Sequence, residues 1–237
     1  TVLVSLMLAN NEVGTLQPVA EVASLCRERG AALHTDAAQA VGKVPVDVVE
    51  LGVDLLSLAG HKLYAPKGIG ALYVRDGIEI APQIRGAAHE RGLRAGTENV
   101  LLAVGLGTAC ELARADVDAE GEKLAGLRDR LAGLLGREID GLIVHGHPEY
   151  RLPNTLSAAL PGCNADELLE GLGDELAASA GAACHAGAAT VSHVLQAMGV
   201  DADVALGTVR LSVGRFTTSD EVERAAELIV QRLNAER

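Results

Sequence analysis

The chain has 237 residues, 49% hydrophobic and 22% charged, enough for one large or two modest globular domains. A net charge of −12 argues against nucleic acid or an anionic membrane as a partner, although a cleft can still be locally basic. One Phe, three Tyr and no Trp leave an aliphatic core, and four scattered cysteines with no CxxC suit a reducing compartment such as the cytoplasm rather than a disulfide scaffold.

The opening run from Thr1 to Ala9 is apolar, lacks a basic flank and is cut short by Asn10-Asn11-Glu12. It predicts a buried strand rather than a signal peptide or membrane span. The chain starts without Met, and a preceding segment is expected. Pro18 introduces a helix over residues 19–29, with Val19, Val22, Ala23 and Cys26 on one face and Gly30 ending it. Strands are expected at 31–34, 53–58 and 70–74, with a short segment near 46–51. Apolar strands with little alternation, separated by helices, imply a mainly parallel sheet with helices on both faces, an α/β unit. Residues 99–136 read as mostly helical and link the domains, so that 1–117 and 118–237 form two domains. The second reads as a smaller α+β unit, with strands near 142–144, 155–159 and 208–213 and helices near 164–175, 190–198 and from 219 onward. Asn164 with Glu167, and Thr218 with Glu221, have capping-box spacing.

Asp36 stands at a strand end, and Lys62 follows the next strand after the turn Ala59-Gly60-His61. Their spacing of 26 positions matches one strand-to-strand crossover, which brings both to the sheet edge where ligands bind in open α/β folds. A lysine confined among apolar neighbours loses its charge more readily and becomes a nucleophile toward carbonyls. Pyridoxal phosphate meets both residues, because its pyridinium nitrogen wants a carboxylate and its aldehyde an amine. Alone, Asp36 reads first as a helix cap and Lys62 first as a surface residue. Asn11 at the end of the opening strand and Gln39 after Asp36 add polar groups, each with a turn or cap as its plain alternative. Cys184 lies in the small-residue run 179–189, a loop that would expose its thiol as a travelling nucleophile requires. Cys26, Cys110 and Cys163 read as structural. Arg210 interrupts a strand and suits a substrate carboxylate, unless it faces outward on an edge. His145, His147, Cys163, Cys184, His185 and His193 lack compact ligand spacing and no HExxH occurs, so no metal is expected.

Seven motifs in order, Ala9-Asn10-Asn11-Glu12-Val13-Gly14, His34-Thr35-Asp36-Ala37-Ala38-Gln39, Gly60-His61-Lys62, Gly68-Ile69-Gly70-Ala71-Leu72-Tyr73, Arg94-Ala95-Gly96-Thr97, Gly181-Ala182-Ala183-Cys184 and Arg210-Leu211-Ser212, make the chain resemble the cysteine desulfurases of the class V aminotransferase group. The resemblance implies a fold type I pyridoxal-phosphate transferase. Lys62 would hold the cofactor covalently and move protons, Asp36 would pair with the pyridinium nitrogen, and Asn11 and Gln39 would address the phenolic oxygen. Gly60, His61 and Thr97 would serve the phosphate, Thr97 at a neighbouring subunit's site. Asn11 and Arg210 would hold L-cysteine, and Cys184 would take its sulfur as a persulfide, leaving L-alanine. The resemblance further implies a cytoplasmic homodimer passing sulfur to an acceptor, such as an iron–sulfur scaffold or a tRNA-thiolation relay.

Two departures stand out. Ala59 replaces the serine that often precedes Gly-His-Lys, and the family's N-terminal segment does not precede Thr1. The chain thus resembles the C-terminal part of such an enzyme. Selenocysteine lyase shares the lysine and the loop cysteine. A non-catalytic dimerisation or docking fragment is the reading from another class.

Overall fold

A computed structural model describes residues 1–185 and 188–235, the side chains of 182–185 and 190 and those of 188–189 excepted. The chain divides into two units, Thr1–Ala9 with Gln17–Val117 and Asn10–Leu16 with Asp118–Arg237.

In the first unit, alternating apolar strands and amphipathic helix produce a four-stranded sheet in the order β1-β2-β3-β4. Strands β1 (Leu3–Met7), β2 (Ala32–Asp36) and β3 (Leu55–Ala59) are parallel, and β4 (Gly70–Val74) is antiparallel to β3. Helix α1 (Val19–Arg29) makes the β1-to-β2 crossover and buries Val19, Ala23 and Cys26, spaced at one helical face. Gly30 ends it with φ +68°, a left-handed conformation that costs glycine nothing. The short α2 (Val48–Leu51) starts on Asp47, whose side chain accepts from the Val49 N–H at 2.7 Å. Between β2 and β3, the buried carboxylate of Asp54 accepts from the Leu33 N–H at 2.7 Å and pairs with Arg75. That clamp ties the strand ends together and satisfies a charge that would be costly alone.

The opening strand is not the buried one its composition suggests. β1 is an edge strand whose residues alternate between exposed and half-buried, and Leu3 is 50% exposed. Apolar composition registers strand propensity; it does not register whether a further layer covers both faces.

Helix α3 (Val100–Glu138) runs through Gly105, Gly107 and Gly121 without a break, and the division between the units falls inside it. In the second unit it buries Leu124, Leu127, Leu131 and Leu135 along one stripe, continued by Ile139 just past its end. These pack with an antiparallel sheet of order β5-β6-β10-β7, formed by β5 (Ile143–Val144), β6 (Thr155–Ala159), β7 (Ser179–Ala180) and β10 (Thr208–Ser212). β6 is buried along its whole length. Helices α4 (Ala165–Leu172) and α7 (Ser219–Ala235) complete this core with Leu168, Val222, Ile229 and Leu233. Each such leucine or isoleucine contributes roughly 2 kcal/mol of apolar burial. Thr218 and Glu221 form the expected reciprocal cap, the Thr218 N–H reaching Oε2 at 2.8 Å and the Glu221 N–H reaching Oγ1 at 3.3 Å.

Residues 179–189, expected to be a loop, instead contribute β7 and an antiparallel hairpin of β8 (Ala182–His185) and β9 (Ala188–Val191). The expected helix over 190–198 accordingly shortens to α5 (His193–Ala197), followed by α6 (Ala202–Leu206). Thr190 and Val191 are β-branched and finish the strand, and Ser192 then caps α5 through the N–H groups of Val194 and Leu195.

Candidate active site

In the first unit, β2 delivers Asp36 and its parallel neighbour β3 delivers the segment that follows it. The register sets Asp36 opposite Ser57, so both chains leave the sheet at the same C-terminal edge. The exposed Asp36 carboxylate accepts from the Ala38 N–H at 2.9 Å, which closes a side-chain turn rather than capping a helix, since the next helix begins only at Val48, and this coexists with any ligand role. After β3, one 3-10 turn spans Gly60–Leu63. Gly60 is buried, and a Cβ there would come 2.9 Å from both the Ile69 carbonyl oxygen and its Cγ2, so the turn accepts no larger residue without rearrangement.

Lys62 is exposed, contrary to the confinement its neighbours suggest. In a single 3-10 turn, Leu63 takes the inward position with Ala65 and Leu106, and this sends His61 and Lys62 outward. The amine that is pressed into protein is Lys43. Its Nζ donates to the Gln39 carbonyl oxygen at 2.9 Å, and its pKa is pushed down to about 8 by burial and, second, by the Lys62 ammonium. Sequence reasoning passed over Lys43; the readable signal was its placement four residues after Gln39 in a tight turn that also holds Gly42 at φ +77°. A second overlooked feature is the polar row across three strands on the Asp36 side of the sheet. His34 contacts the Ser5 hydroxyl at 2.7 Å and the Ser57 hydroxyl at 3.2 Å. Its place two residues before Asp36 on one strand was the available clue. Thr97 is exposed ahead of α3.

The second unit holds Asn11 and Arg210. Arg210 sits on the central strand β10, between Ser157 on β6 and Ser179 on β7, which removes the edge-strand alternative. Its Nη1 donates to the Asn11 carbonyl oxygen and its Nη2 to the Ser179 hydroxyl, both at 3.0 Å. The guanidinium borders a cavity of about 790 Å³ that Asn11, Glu12, Ser157, Thr208 and Ser192 also line. Asn10 shapes the turn beneath it, its side-chain oxygen accepting from the N–H groups of Glu12 at 2.8 Å and Val13 at 2.9 Å. Behind the cavity, buried His145 meets Thr208 Oγ1 at 3.1 Å. That hydroxyl donates to the Val204 carbonyl, so the imidazole Nε2–H must be the donor to it. Burial lowers the His145 pKa and keeps the ring neutral.

The backbone of Cys184 belongs to β8, and its side chain lies outside the described residues. Among the described residues, Cys26, Cys110 and Cys163 form no disulfide. Among the described residues, no group of three or more His, Cys, Asp or Glu side chains could hold a metal.

A carboxylate and a primary amine at the C-terminal edge of adjacent parallel strands, with His61 and a required Gly60 beside the amine, form a donor set that fits pyridoxal phosphate. Comparison with known proteins agrees in family. The description of the class-V aminotransferases matches residues 1–225. The cysteine desulfurase IscS of Methanosarcina thermophila is 46% identical over 238 residues, covering 98% of this chain and 58% of the relative. A solved structure titled NifS-like protein superposes with a TM-score of 0.90 at 37% identity, over 99% of this chain and 62% of its own. A structure of SspA in complex with cysteine gives a TM-score of 0.72 at 34% identity, over 92% and 60% of the two chains. This chain spans a little over half the length of the curated relatives it matches. On the match across nearly its whole length, the chain belongs to the class-V aminotransferase family.

Proposed function

We propose that this chain is the lysine- and cysteine-bearing part of a pyridoxal-phosphate-dependent cysteine desulfurase, which moves sulfur from L-cysteine to Cys184 and releases L-alanine. The observation that carries the reading is the shared strand edge of Asp36 and Lys62 in a class-V aminotransferase chain whose relatives are named cysteine desulfurases. When bound, pyridoxal phosphate withdraws electron density from the substrate's α-carbon.

The chain's own residues divide the remaining work. Lys62 would hold the aldehyde and carry the proton from the α-carbon, and its outward position on the turn suits an amine that must reach a ligand. Asp36 would pair with the pyridinium nitrogen, Gln39 would address the phenolic oxygen, and Gly60 and His61 would hold phosphate, Thr97 doing so at a neighbouring subunit's site. Arg210 keeps guanidinium donors for the substrate carboxylate in addition to the two that fix it to Asn11 and Ser179. The Cys184 thiolate attacks the substrate sulfur. A sulfur–sulfur bond forms, the carbon–sulfur bond breaks, and the carbon keeps that electron pair and takes a proton to become the methyl group of alanine.

Apolar side chains exposed on the first turns of α3, Val100, Leu101, Val104 and Leu112, support a homodimer in which these stripes meet. Among the described residues no helix is long and apolar enough to cross a membrane. We assign the cytoplasm as the site of action and a sulfur-accepting protein, such as an iron–sulfur scaffold, as the partner.

Cys184→Ala tests the reading. Alanine release and the persulfide should fall by about a hundredfold or more, while the visible absorbance of cofactor bound to Lys62 remains. A persulfide found on another cysteine would refute the assignment.

A further inference from the structure

The turn that carries Asn11 does a second job through its neighbour. Glu12 Oε2 accepts a hydrogen bond from the Ser192 hydroxyl. That same hydroxyl accepts from the Val194 N–H at 3.1 Å, and the Ser192 N–H donates to the Gly181 carbonyl at 3.0 Å. Ser192 and Gly181 are the residues immediately outside the β8–β9 hairpin, one at each foot. Gly181 is fixed in turn to β10, its N–H donating to the Thr208 carbonyl at 2.6 Å. Only glycine fits there, because a Cβ would come 2.9 Å from that of Thr208 and 3.1 Å from Leu195 Cδ1. On the same side, Ser179 is held by Arg210, which also holds the Asn11 carbonyl. Both feet of the hairpin are therefore tied, one to the strand carrying Arg210 and the other to the carboxylate beside Asn11.

We propose that Glu12 is a positioning residue, which through its hydrogen bond to Ser192 fixes the second foot of the β8–β9 hairpin and so sets how Cys184 is presented. The consequence for sulfur transfer rests on the desulfurase reading; the tie itself does not. Among the described residues Glu12 forms no ion pair, and its hydroxyl partner is already satisfied as an acceptor by the α5 cap. The carboxylate thus gives the Ser192 proton its acceptor, and the hydroxyl joins cap, hairpin and turn at one atom.

The test is alkylation of each cysteine by iodoacetamide in the purified protein, read by mass spectrometry without cofactor or substrate. Glu12→Ala should speed labelling of Cys184 about fivefold, the factor given by loss of one hydrogen bond of ordinary net strength. Buried Cys26 and Cys163 should label at their original rates, which separates a local release from general loosening. Glu12→Gln, whose amide oxygen still accepts, should stay within about twofold of the original protein. Ser192→Ala should reproduce Glu12→Ala, answering the same question if the Glu12 variant does not fold, and the double variant should add nothing to either. Unchanged Cys184 labelling in Glu12→Ala, an equal effect in Glu12→Gln, or faster labelling of all three thiols would each overturn the proposal. Failure of the desulfurase reading shows separately, as absence of alanine from the unmodified protein supplied with cofactor and L-cysteine.

Discussion

Replacing Lys43 with methionine removes the amine that the fold presses hardest. The side chain's pKa falls from 10.5 to about 8, first through burial and second through the Lys62 ammonium. That fall corresponds to about 3 kcal/mol against the charged form, and partial solvent access brings the effective penalty to about 2 kcal/mol. The sign follows from proton uptake. Below the folded value the amine is charged in folded and unfolded chains alike, and the penalty is fully felt. Between the folded and unfolded values the unfolded chain binds more protons, so stability rises with pH. Urea unfolding of the original and Lys43→Met proteins, followed by circular dichroism at about pH 7.5 and about pH 10, isolates this group by difference. The original protein should gain about 2 kcal/mol relative to the variant across that interval. Competitive acetylation should give Lys43 a midpoint near 8, and Lys62→Ala should move it back toward 10.5. A flat difference between the two proteins, with Lys43 acetylating like a surface lysine, would falsify the burial argument.

Two further outcomes follow from the second unit. Neutral His145 has a folded pKa below its unfolded one, so its contribution is intact above the unfolded value and is lost as pH falls toward the folded value. His145→Gln should therefore show a smaller loss of stability than the original protein when unfolding is compared at about pH 7.5 and about pH 5.5. Gly181→Ala should cost about 2 kcal/mol in the same denaturant measurement, because its methyl group meets Thr208 and Leu195 in a packed corner.

Much of the architecture could be read from spacing alone. Pro18 and Gly30 bracketed α1, and Thr155–Ala159 and Gly70–Val74 matched their strands, because breakers and short runs between turn residues act locally. The pairing of Asp36 with the strand before Lys62 was legible for the same reason, a crossover length. What failed depended on surroundings. Nothing local says which side of a single 3-10 turn faces water, so Lys62 looked confined and Lys43 went unnoticed. The strands β8 and β9 were hidden by alanine and glycine, which mark neither strand nor helix strongly. Likewise, the turn Asn10–Leu16 follows β1 in the chain yet packs with the second unit, through Leu16 to Tyr150 and Leu152 to Gly14. Chain order cannot reveal such an exchange, and Glu12 could not be recognised as a tether before Ser192 was seen beside it.

Strand β1 gives the molecule a colloidal character as well as a fold. Among the described residues it ends the order β1-β2-β3-β4, with Val2 and half-exposed Leu3 beside it, and an edge of this kind is where another strand adds. Two copies meeting there must also bring together chains that each bear a net charge of −12. At low ionic strength that repulsion keeps the edges apart; at the shorter screening length of concentrated salt it fades, while the edge itself is unchanged. Salt is thus a variable that moves this chain's tendency to associate, by screening charge and not by altering the edge.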